Sequence, residues 1–95
     1  MQKQAVVINP KDNVATTVAD LAAGTTVSFF VGQAVEKLTL SEIIPLGHKF
    51  ALCDIRKGQE IIKYGESIGS ALAPIAKGSH VHIHNIQSNR GRGDL

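Results

Sequence analysis

The stretch Asp54–Ile61, "DIRKGQEI", has the form of a tight turn that opens a strand, and this form occurs three times in the chain. It returns as "DLAAGTTV" (Asp20–Val27) and as "PIAKGSHV" (Pro74–Val81). Each copy has Asp or Pro, then Leu or Ile, two small or basic residues, Gly, two polar residues, and Val or Ile. Glycine supplies the positive φ that a tight turn needs, and the apolar second position anchors the turn to the core. Because the copies are unevenly spaced, the pattern predicts a recurring turn and not a solenoid repeat.

Short segments of β character lie between and around these turns. They read "QAVVINP", "TTVSFFVG", "VEKLTL", "HKFALCDI", "EIIKYG" and "HVHIHNI", and many end at Gly or Pro. One short helix is the alternative for Asn13–Gly24, where Val14, Val18 and Leu21 have roughly helical spacing, but the β-branched threonines disfavour it. The sequence therefore predicts a mainly β fold, a single small domain of short strands and glycine turns.

Composition limits the classes of protein to which the chain can belong. Its 95 residues are 43% hydrophobic and 19% charged, which fits one globular domain. A net charge of +2 without a clustered basic face argues against nucleic acid as the main partner. Cys53 is the only cysteine, so neither a disulfide framework nor a cysteine zinc motif is predicted. The sequence has no signal-peptide pattern and no membrane-spanning apolar run, so a cytoplasmic location is expected.

The last residues differ in composition from the rest of the chain. "SNRGRGDL" is rich in Gly and Arg and lacks apolar residues before Leu95. We expect a β domain over residues 1–87 and a basic tail over residues 88–95. Arg90 and Arg92 are expected to bind an acidic partner or substrate, or to extend onto a neighbouring subunit.

Three of the four histidines stand on alternate residues in "HVHIHN", at His80, His82 and His84. On a single strand they would share one face, with neighbouring Cα atoms about 6.6–6.8 Å apart. Two such imidazoles can converge on one metal ion, but the outer pair would lie too far apart to join them. A third ligand would come from His48, a carboxylate, water or another chain. The alternative is a solvent-facing strand whose histidines have no function.

Two further stretches place cationic groups beside a glycine. In "PLGHK", Gly47 allows a close turn while His48 and Lys49 suit a carboxylate or phosphate, since Lys offers a charge and imidazole can move a proton. Lys63 and Tyr64 precede Gly in "KYG". The alternatives are a solvated turn for the first stretch and a tyrosine that covers the core for the second. No nucleophile elbow and no phosphate-binding loop is present.

The run from "IPLGHKFALCDIRKGQEIIKYGESIG" to "HVHIHN" resembles the small N-terminal module of the altronate and galactarate dehydratase family, and it is also similar to the alpha subunit of sulfolactate sulfo-lyase. The earlier "INPKDNVATTVADLAAGTTV" is similar to the same module. This resemblance implies an SAF-type domain with a β-clip fold. It also implies elimination of water from a sugar acid, in which a base removes the proton α to the carboxylate and the 3-hydroxyl leaves.

The resemblance further implies a divalent metal, Fe²⁺ with Mn²⁺ as the other candidate, shared with a large catalytic subunit. We expect the catalytic residues to be His48 and Lys49, and the metal ligands to be His82 and His84. The expected substrate-binding residues are Gly47, Lys63, Tyr64, Asn85, Arg90 and Arg92.

Three functions fit these observations. The first is a small subunit or N-terminal module of a sugar-acid hydro-lyase, inactive by itself, or the corresponding subunit of a sulfolactate sulfo-lyase. The second is a stand-alone module that binds a carbohydrate acid without catalysis. The third is an assembly element that docks a large subunit. A homo-oligomer formed through an exposed edge strand is also compatible with a β domain of this size.

Overall fold

The computed structural model describes residues 4–7 and 9–88, and these residues form short β-strands without an α-helix. The part of the chain that the structure describes thus has no helix long and apolar enough to cross a membrane. The nine strands are β1 (Ala5–Val6), β2 (Val14–Thr17), β3 (Thr26–Val31), β4 (Ala34–Thr39), β5 (Lys49–Ala51), β6 (Glu60–Lys63), β7 (Glu66–Ala71), β8 (His80–Val81) and β9 (Ile86–Ser88). The predicted mainly β fold is confirmed.

The strands form three antiparallel sheets. A four-stranded sheet has the order β1-β2-β5-β8, β3 and β4 form a hairpin, and a three-stranded sheet has the order β6-β7-β9. The four-stranded sheet brings together segments that are distant in sequence, and β5 and β8 lie side by side in it. This pairing is the feature that builds the functional site.

The two halves of the described chain repeat one arrangement. In residues 14–47 and again in residues 49–78, a strand leads to a bridge residue, a glycine turn, a β-hairpin, a second bridge residue and a second glycine turn. The bridges join Leu21 to Ile44 in the first half and Ile55 to Ile75 in the second. Their backbone hydrogen bonds correspond, with N–O distances of 2.9 Å in the first bridge and 2.8 Å in the second. The four turn glycines, all at φ between 81° and 86°, are Gly24, Gly47, Gly58 and Gly78.

In each half, an aspartate side chain joins the two glycine turns by a hydrogen bond. Asp20 Oδ1 accepts the backbone N–H of Leu46 at 2.7 Å, and Asp54 Oδ1 accepts that of Lys77 at 2.9 Å. The aspartate at the start of one turn therefore binds the backbone of the turn that faces it. The three turns predicted from the sequence are confirmed. A fourth glycine turn, Ile43–Phe50, keeps the apolar second position, the glycine and the two polar residues of this form, but has Ile at its first position, Pro and Leu before the glycine and Phe at its end.

The described residues bury two apolar clusters, and each cluster draws on both halves. The first includes Phe50, whose ring meets Phe29 edge-on at a centroid distance of 6.1 Å, together with Leu40 and Ile44. The second consists of smaller side chains, among them Ile55 and Ile61. Because aromatic residues are scarce, most of the core is aliphatic, as the composition predicted.

The structure excludes one alternative and corrects one expectation. The short helix considered for Asn13–Gly24 is absent, because Val14–Thr17 pairs with β5 and Asn13 binds the β6 backbone through its side-chain amide. The segment "HVHIHNI" is not one strand either: β8 ends at Val81, a turn follows, and β9 begins at Ile86.

Candidate metal centre

The pairing of β5 with β8 brings His48, from the middle of the sequence, together with histidines of the C-terminal part. The register places Lys49 opposite Val81, so the preceding His48 faces His82 across the sheet. The rings of His48 and His82 stack with centroids 4.0 Å apart, and the ring of His80 lies 5.0 Å from that of His48. These three residues, His48, His80 and His82, form the histidine cluster.

The ring nitrogens of the cluster converge. His48 Nδ1 lies 2.8 Å from His80 Nε2, a hydrogen-bond distance, and one donor nitrogen from each of the three residues lies within 4.8 Å of the others. His82 Nδ1 is buried and has no hydrogen-bond partner among the described residues. A buried nitrogen without a partner carries a desolvation cost that a bound ligand would remove.

Asn85 holds the backbone of the two C-terminal members of the cluster. Its Nδ2 donates to the His80 carbonyl at 2.7 Å, and its Oδ1 accepts the His82 N–H at 3.0 Å. The Asn85 N–H donates to the His82 carbonyl at 3.1 Å, which closes the turn. Such side-chain bonds compete with a strand ladder, and they explain why β8 ends at Val81. Glu42 adds a further constraint, since its Oε2 accepts the His80 N–H at 2.9 Å.

Thr17 fixes the turn that carries His48. Its side chain is 2% exposed, and its Oγ1 donates to the Pro45 carbonyl at 2.8 Å. The backbone of Thr17 donates to the His48 carbonyl at 2.9 Å and accepts the Gly47 N–H at 3.2 Å. The turn that carries the His48 imidazole is therefore hydrogen-bonded to β2 both before His48 and at His48 itself.

The surroundings favour neutral imidazoles. Partial burial lowers the pKa of His80, and the positive charges that His84, His48 and His82 can carry lower it further. Burial also lowers the pKa of His82, with smaller contributions from His48 and Lys49. Neutral imidazole is the form that binds metal, so the lowered pKa values favour the ligating form of His80 and His82.

The three converging ring nitrogens of the cluster are suitable ligands for a metal ion. Two nitrogens bound to one ion lie at most about 4.2 Å apart, because each bond is about 2.0–2.1 Å long. The observed upper separation of 4.8 Å exceeds this limit by an amount that small side-chain rotations can close. The Nδ1 of His82 is a further donor that no group in residues 4–7 and 9–88 uses.

His84 stands apart from the cluster. It is exposed on the turn after β8, with its ring 5.1 Å from that of His80, and it is not among the converging donors. The sequence analysis placed His82 and His84 in the metal set, and the structure groups His82 with His48 and His80. The cause is the turn, which ends the alternation of side chains that a longer strand would have given.

A cleft of about 440 Å³ lies next to the cluster. Half-buried Lys49 lines it together with residues of β7 and β9. Lys63 ends β6 directly opposite Glu66, which also lines the cleft. Burial lowers the pKa of Lys49, and the nearby charge of Lys63 lowers it further.

The hairpin that carries Lys63 has an unusual backbone. Tyr64 adopts φ 56° and Gly65 φ 78°, a two-residue turn with both residues left-handed. Positive φ is rare for a bulky side chain and costs about 1–2 kcal/mol. Tyr64 is 52% exposed, and Lys63 Nζ lies 4.8 Å from the centre of its ring.

Three more residues were predicted to bind substrate, namely Gly47, Arg90 and Arg92. Gly47 is exposed at φ 81° in the turn before His48. Arg90 and Arg92 lie outside the described residues. The sequence analysis did not assign His80 to the metal set and missed Glu42 altogether. Recognition of "IIPLGHKF" as a variant of the turn would have indicated that β5 and β8 follow equivalent turns, which places His48 and His80 close behind the turn glycines Gly47 and Gly78.

Comparison with known proteins identifies the family. The sequence profile of the altronate/galactarate dehydratase SAF domain matches residues 3–89. Altronate dehydratase of Escherichia coli (strain K12) is 51% identical over 86 residues, which is 90% of this chain and 17% of that protein. The altronate dehydratase of Bacillus subtilis (strain 168) is 34% identical over 87 residues, 92% of this chain and again 17% of the relative.

A second group of relatives carries a different activity in its name. The alpha subunit of (2R)-sulfolactate sulfo-lyase from Paracoccus pantotrophus is 43% identical over 54 residues, which cover 57% of this chain and 81% of that subunit. The chain thus spans a small part of the dehydratases and most of this subunit's length. Because the family profile extends over residues 3–89, the chain belongs to the altronate/galactarate dehydratase SAF domain family.

Proposed function

We propose that this chain is the small SAF module of a sugar-acid hydro-lyase of the altronate/galactarate dehydratase type, and that its histidine cluster forms part of a metal-dependent site completed by a large catalytic polypeptide. The observation that carries the proposal is the convergence of one ring nitrogen each from His48, His80 and His82, together with the buried Nδ1 of His82, which has no hydrogen-bond partner among the described residues. Membership of the dehydratase family supplies the reaction class.

In this proposal the cluster holds a divalent ion, Fe²⁺ in the first place and Mn²⁺ as the alternative. When bound, the ion would stabilise negative charge on the substrate carboxylate and hydroxyl. Three protein ligands with open coordination positions are typical of catalytic and not of structural metal sites. His48 joins the ligand set here, although the sequence analysis expected it to act on the substrate directly. Asn85 and Glu42 orient the ligands through the backbone, so they are positioning residues.

The substrate would meet the chain at the cleft beside the cluster. Lys49 provides a positive charge there, and Lys63 is the cross-strand neighbour of Glu66, which also lines the cleft. Altronate, galactarate and sulfolactate, which give the relatives their names, all contain a 2-hydroxycarboxylate. A lysine next to a metal centre suits that group, since the ammonium can bind the carboxylate while the ion binds the hydroxyl.

The catalytic base and the rest of the site would come from the large polypeptide. The matched region is 17% of the altronate dehydratases, and three imidazoles with one lysine do not make a complete dehydratase site. We therefore expect the isolated chain to be inactive.

A second candidate is the corresponding subunit of a sulfolactate sulfo-lyase. It is favoured by the match to 81% of the Paracoccus pantotrophus alpha subunit. The two candidates share the same cluster and cleft, and they differ in the partner and in the group that leaves.

The test is a domain exchange. Residues 3–89 of this chain replace the matching segment of Escherichia coli altronate dehydratase, and the chimera is assayed with altronate, galactarate and (2R)-sulfolactate in the presence of Fe²⁺. We expect dehydration of altronate, with a loss on the order of 100-fold or more for His82→Ala, since even second-shell changes at metal sites cost about 10–100-fold. His84→Ala is the matched control and keeps turnover. Full activity of the His82→Ala chimera, with assembly verified by size-exclusion chromatography, would overturn the proposal.

A further inference from the structure

The two pairs of glycine turns share one backbone arrangement but differ in surface chemistry. Each pair is joined by a bridge, between Leu21 and Ile44 in the first half and between Ile55 and Ile75 in the second. Counting from the bridges gives each exposed turn residue of one half an equivalent in the other. The second half has basic side chains there, at Arg56, Lys57 and Lys77. The equivalent residues of the first half are apolar, namely Ala22, Ala23 and Leu46.

An apolar patch therefore covers the turn pair of the first half. Ile43 is 66% exposed and Leu46 is 59% exposed, both high values for large apolar side chains. The segment after β2 adds to them, because the Thr17 carbonyl accepts the Gly47 N–H and the chain continues past Leu46. Single exposed apolar side chains are common, but a group of them on adjoining segments marks an interaction site. The apolar turn patch consists of the exposed residues Val18, Ala19, Ala22, Ala23, Ile43 and Leu46.

A hollow of about 280 Å³ opens in the apolar turn patch, lined by Asp20, Leu21, Ala22 and Ile43. Small-molecule sites have volumes of about 300–1,000 Å³, so this hollow suits one side chain of a protein partner better than a ligand. Asp20 is the charged residue of its lining, and its Oδ1 accepts the Leu46 N–H. A carboxylate can accept further hydrogen bonds. The hollow therefore fits an anchor residue with an apolar body and a donor group, and such residues dominate the energetics of protein interfaces.

The apolar turn patch adjoins the histidine cluster at two points. Ile43 follows Glu42, whose Oε2 accepts the His80 N–H. Leu46 stands two residues before His48 on the same turn. A polypeptide that contacts both His48 and His80 therefore comes within reach of the patch.

We propose that the apolar turn patch is the surface on which the large catalytic polypeptide docks. The matched region is 17% of the altronate dehydratases, so in those relatives a larger polypeptide accompanies the module. The inference rests on the proposed function and deepens it, because it names the contact that brings the second polypeptide to the histidine cluster. Burial of apolar surface drives the association, and a hydrogen bond to Asp20 orients the partner. The basic turn pair of the second half remains in contact with solvent.

The test is hydroxyl-radical footprinting read by mass spectrometry. It compares the complete 95-residue chain with the chimera in which residues 3–89 replace the matching segment of Escherichia coli altronate dehydratase. We expect the oxidation of Ile43 and Leu46 to fall about fivefold in the chimera, since residues at the centre of an interface lose most of their accessible surface. Phe30 of β3, which is 46% exposed, is the internal reference and should keep its rate.

Exchanges between the equivalent turns supply matched variants. Leu46→Lys gives the first half the residue type that the second half has at Lys77, so this backbone accepts a lysine. In the chimera, Leu46→Lys should return the oxidation of Ile43 to its rate in the isolated chain, because burying an unpaired charge opposes docking. The reverse exchange, Lys77→Leu, is the control and should leave Ile43 protected. Zinc affinity of the isolated Leu46→Lys chain should be unchanged in calorimetry, which separates a loss of docking from damage to the histidine cluster.

Three outcomes overturn the inference. The first is unchanged oxidation of Ile43 and Leu46 in the chimera, and the second is protection of Ile43 that survives Leu46→Lys. The third is protection that is already present in the isolated chain and increases with its concentration, which would assign the patch to a second copy of the chain. The footprint is read without regard to turnover, whereas the proposed function fails if the His82→Ala chimera is fully active, so the two failures are distinguishable.

Discussion

His48 Nδ1 lies 2.8 Å from His80 Nε2, although 32 residues separate them in the chain. The contact exists because β5 follows the second glycine turn of the first half, β8 follows the second glycine turn of the second half, and the two strands pair side by side. The turn after β8 then adds His82 to the same group. The site is thus a product of the internal repeat, and each of its parts can be tested separately.

Asn85 should control both stability and metal affinity. Asn85→Ala removes two side-chain hydrogen bonds to the backbone of His80 and His82, so we expect a loss of about 1–3 kcal/mol in the free energy of unfolding. Zinc affinity, measured by calorimetry, should fall about 10–100-fold. Asn85→Asp keeps the acceptor for the His82 N–H and should lie between the wild type and Asn85→Ala. An unchanged zinc affinity in Asn85→Ala would rule out the positioning role.

Stability of the metal-free chain should depend on pH through the buried histidines. The folded-state pKa values of His80 and His82 are lowered, so the unfolded chain binds more protons once the pH falls toward 6.5. The histidine contribution is therefore complete above pH 6.5 and is lost as the pH falls through the lowered values. Urea unfolding in EDTA at pH 7.5 and pH 5.5 measures the change. The double variant His80→Asn, His82→Asn should show a smaller difference, and a difference equal to that of the wild type would contradict the assignment.

The left-handed backbone of Tyr64 should lower the stability of the folded chain. Tyr64→Asn places a residue that tolerates positive φ at the first position of the turn, which removes a cost of about 1–2 kcal/mol. The lost contact with Lys63 offsets about 0.5–1 kcal/mol of this gain. We expect a net increase of about 0.5–1 kcal/mol in the free energy of unfolding, measured in urea. If Tyr64→Asn is less stable than the wild type, the Tyr64 ring stabilises the fold by more than its contact with Lys63 accounts for.

Gly78 and Gly24 form a matched pair for the repeated turn. Both have positive φ, 86° and 84°, but a Cβ on Gly78 would lie 2.6 Å from the Thr39 carbonyl oxygen, whereas one on Gly24 would meet nothing within 4 Å. Gly24→Ala should cost about 1–2 kcal/mol from the backbone alone. Gly78→Ala should cost about 2–4 kcal/mol, since overpacking adds to the backbone term. If thermal unfolding shows the same loss of stability for both variants, the backbone at Thr39 can move away from the new Cβ without a cost in free energy.

The features predicted from the sequence are those that depend on neighbouring residues, namely the glycine turns and the β character of the strands. The turns at Gly24, Gly58 and Gly78 follow from the left-handed backbone that glycine adopts easily, and the β character of the strands follows from side-chain type. The pairing of β5 with β8 is a long-range contact, and side-chain type and backbone preference do not determine which strands pair. His84 was placed with His82 since alternation implies one face, and the bonds of the Asn85 side chain, which break the strand, became visible only in the structure.

The central claim is that His48, His80 and His82 act as one metal site. The most direct measurement is a long-range ¹H–¹⁵N NMR titration of the imidazole nitrogens with Zn²⁺, a diamagnetic probe that imidazole accepts readily. The account predicts that nitrogens of His48, His80 and His82 shift together with one midpoint, while those of His84 stay in place. A shift confined to His84, or separate midpoints for the three cluster residues, would contradict it.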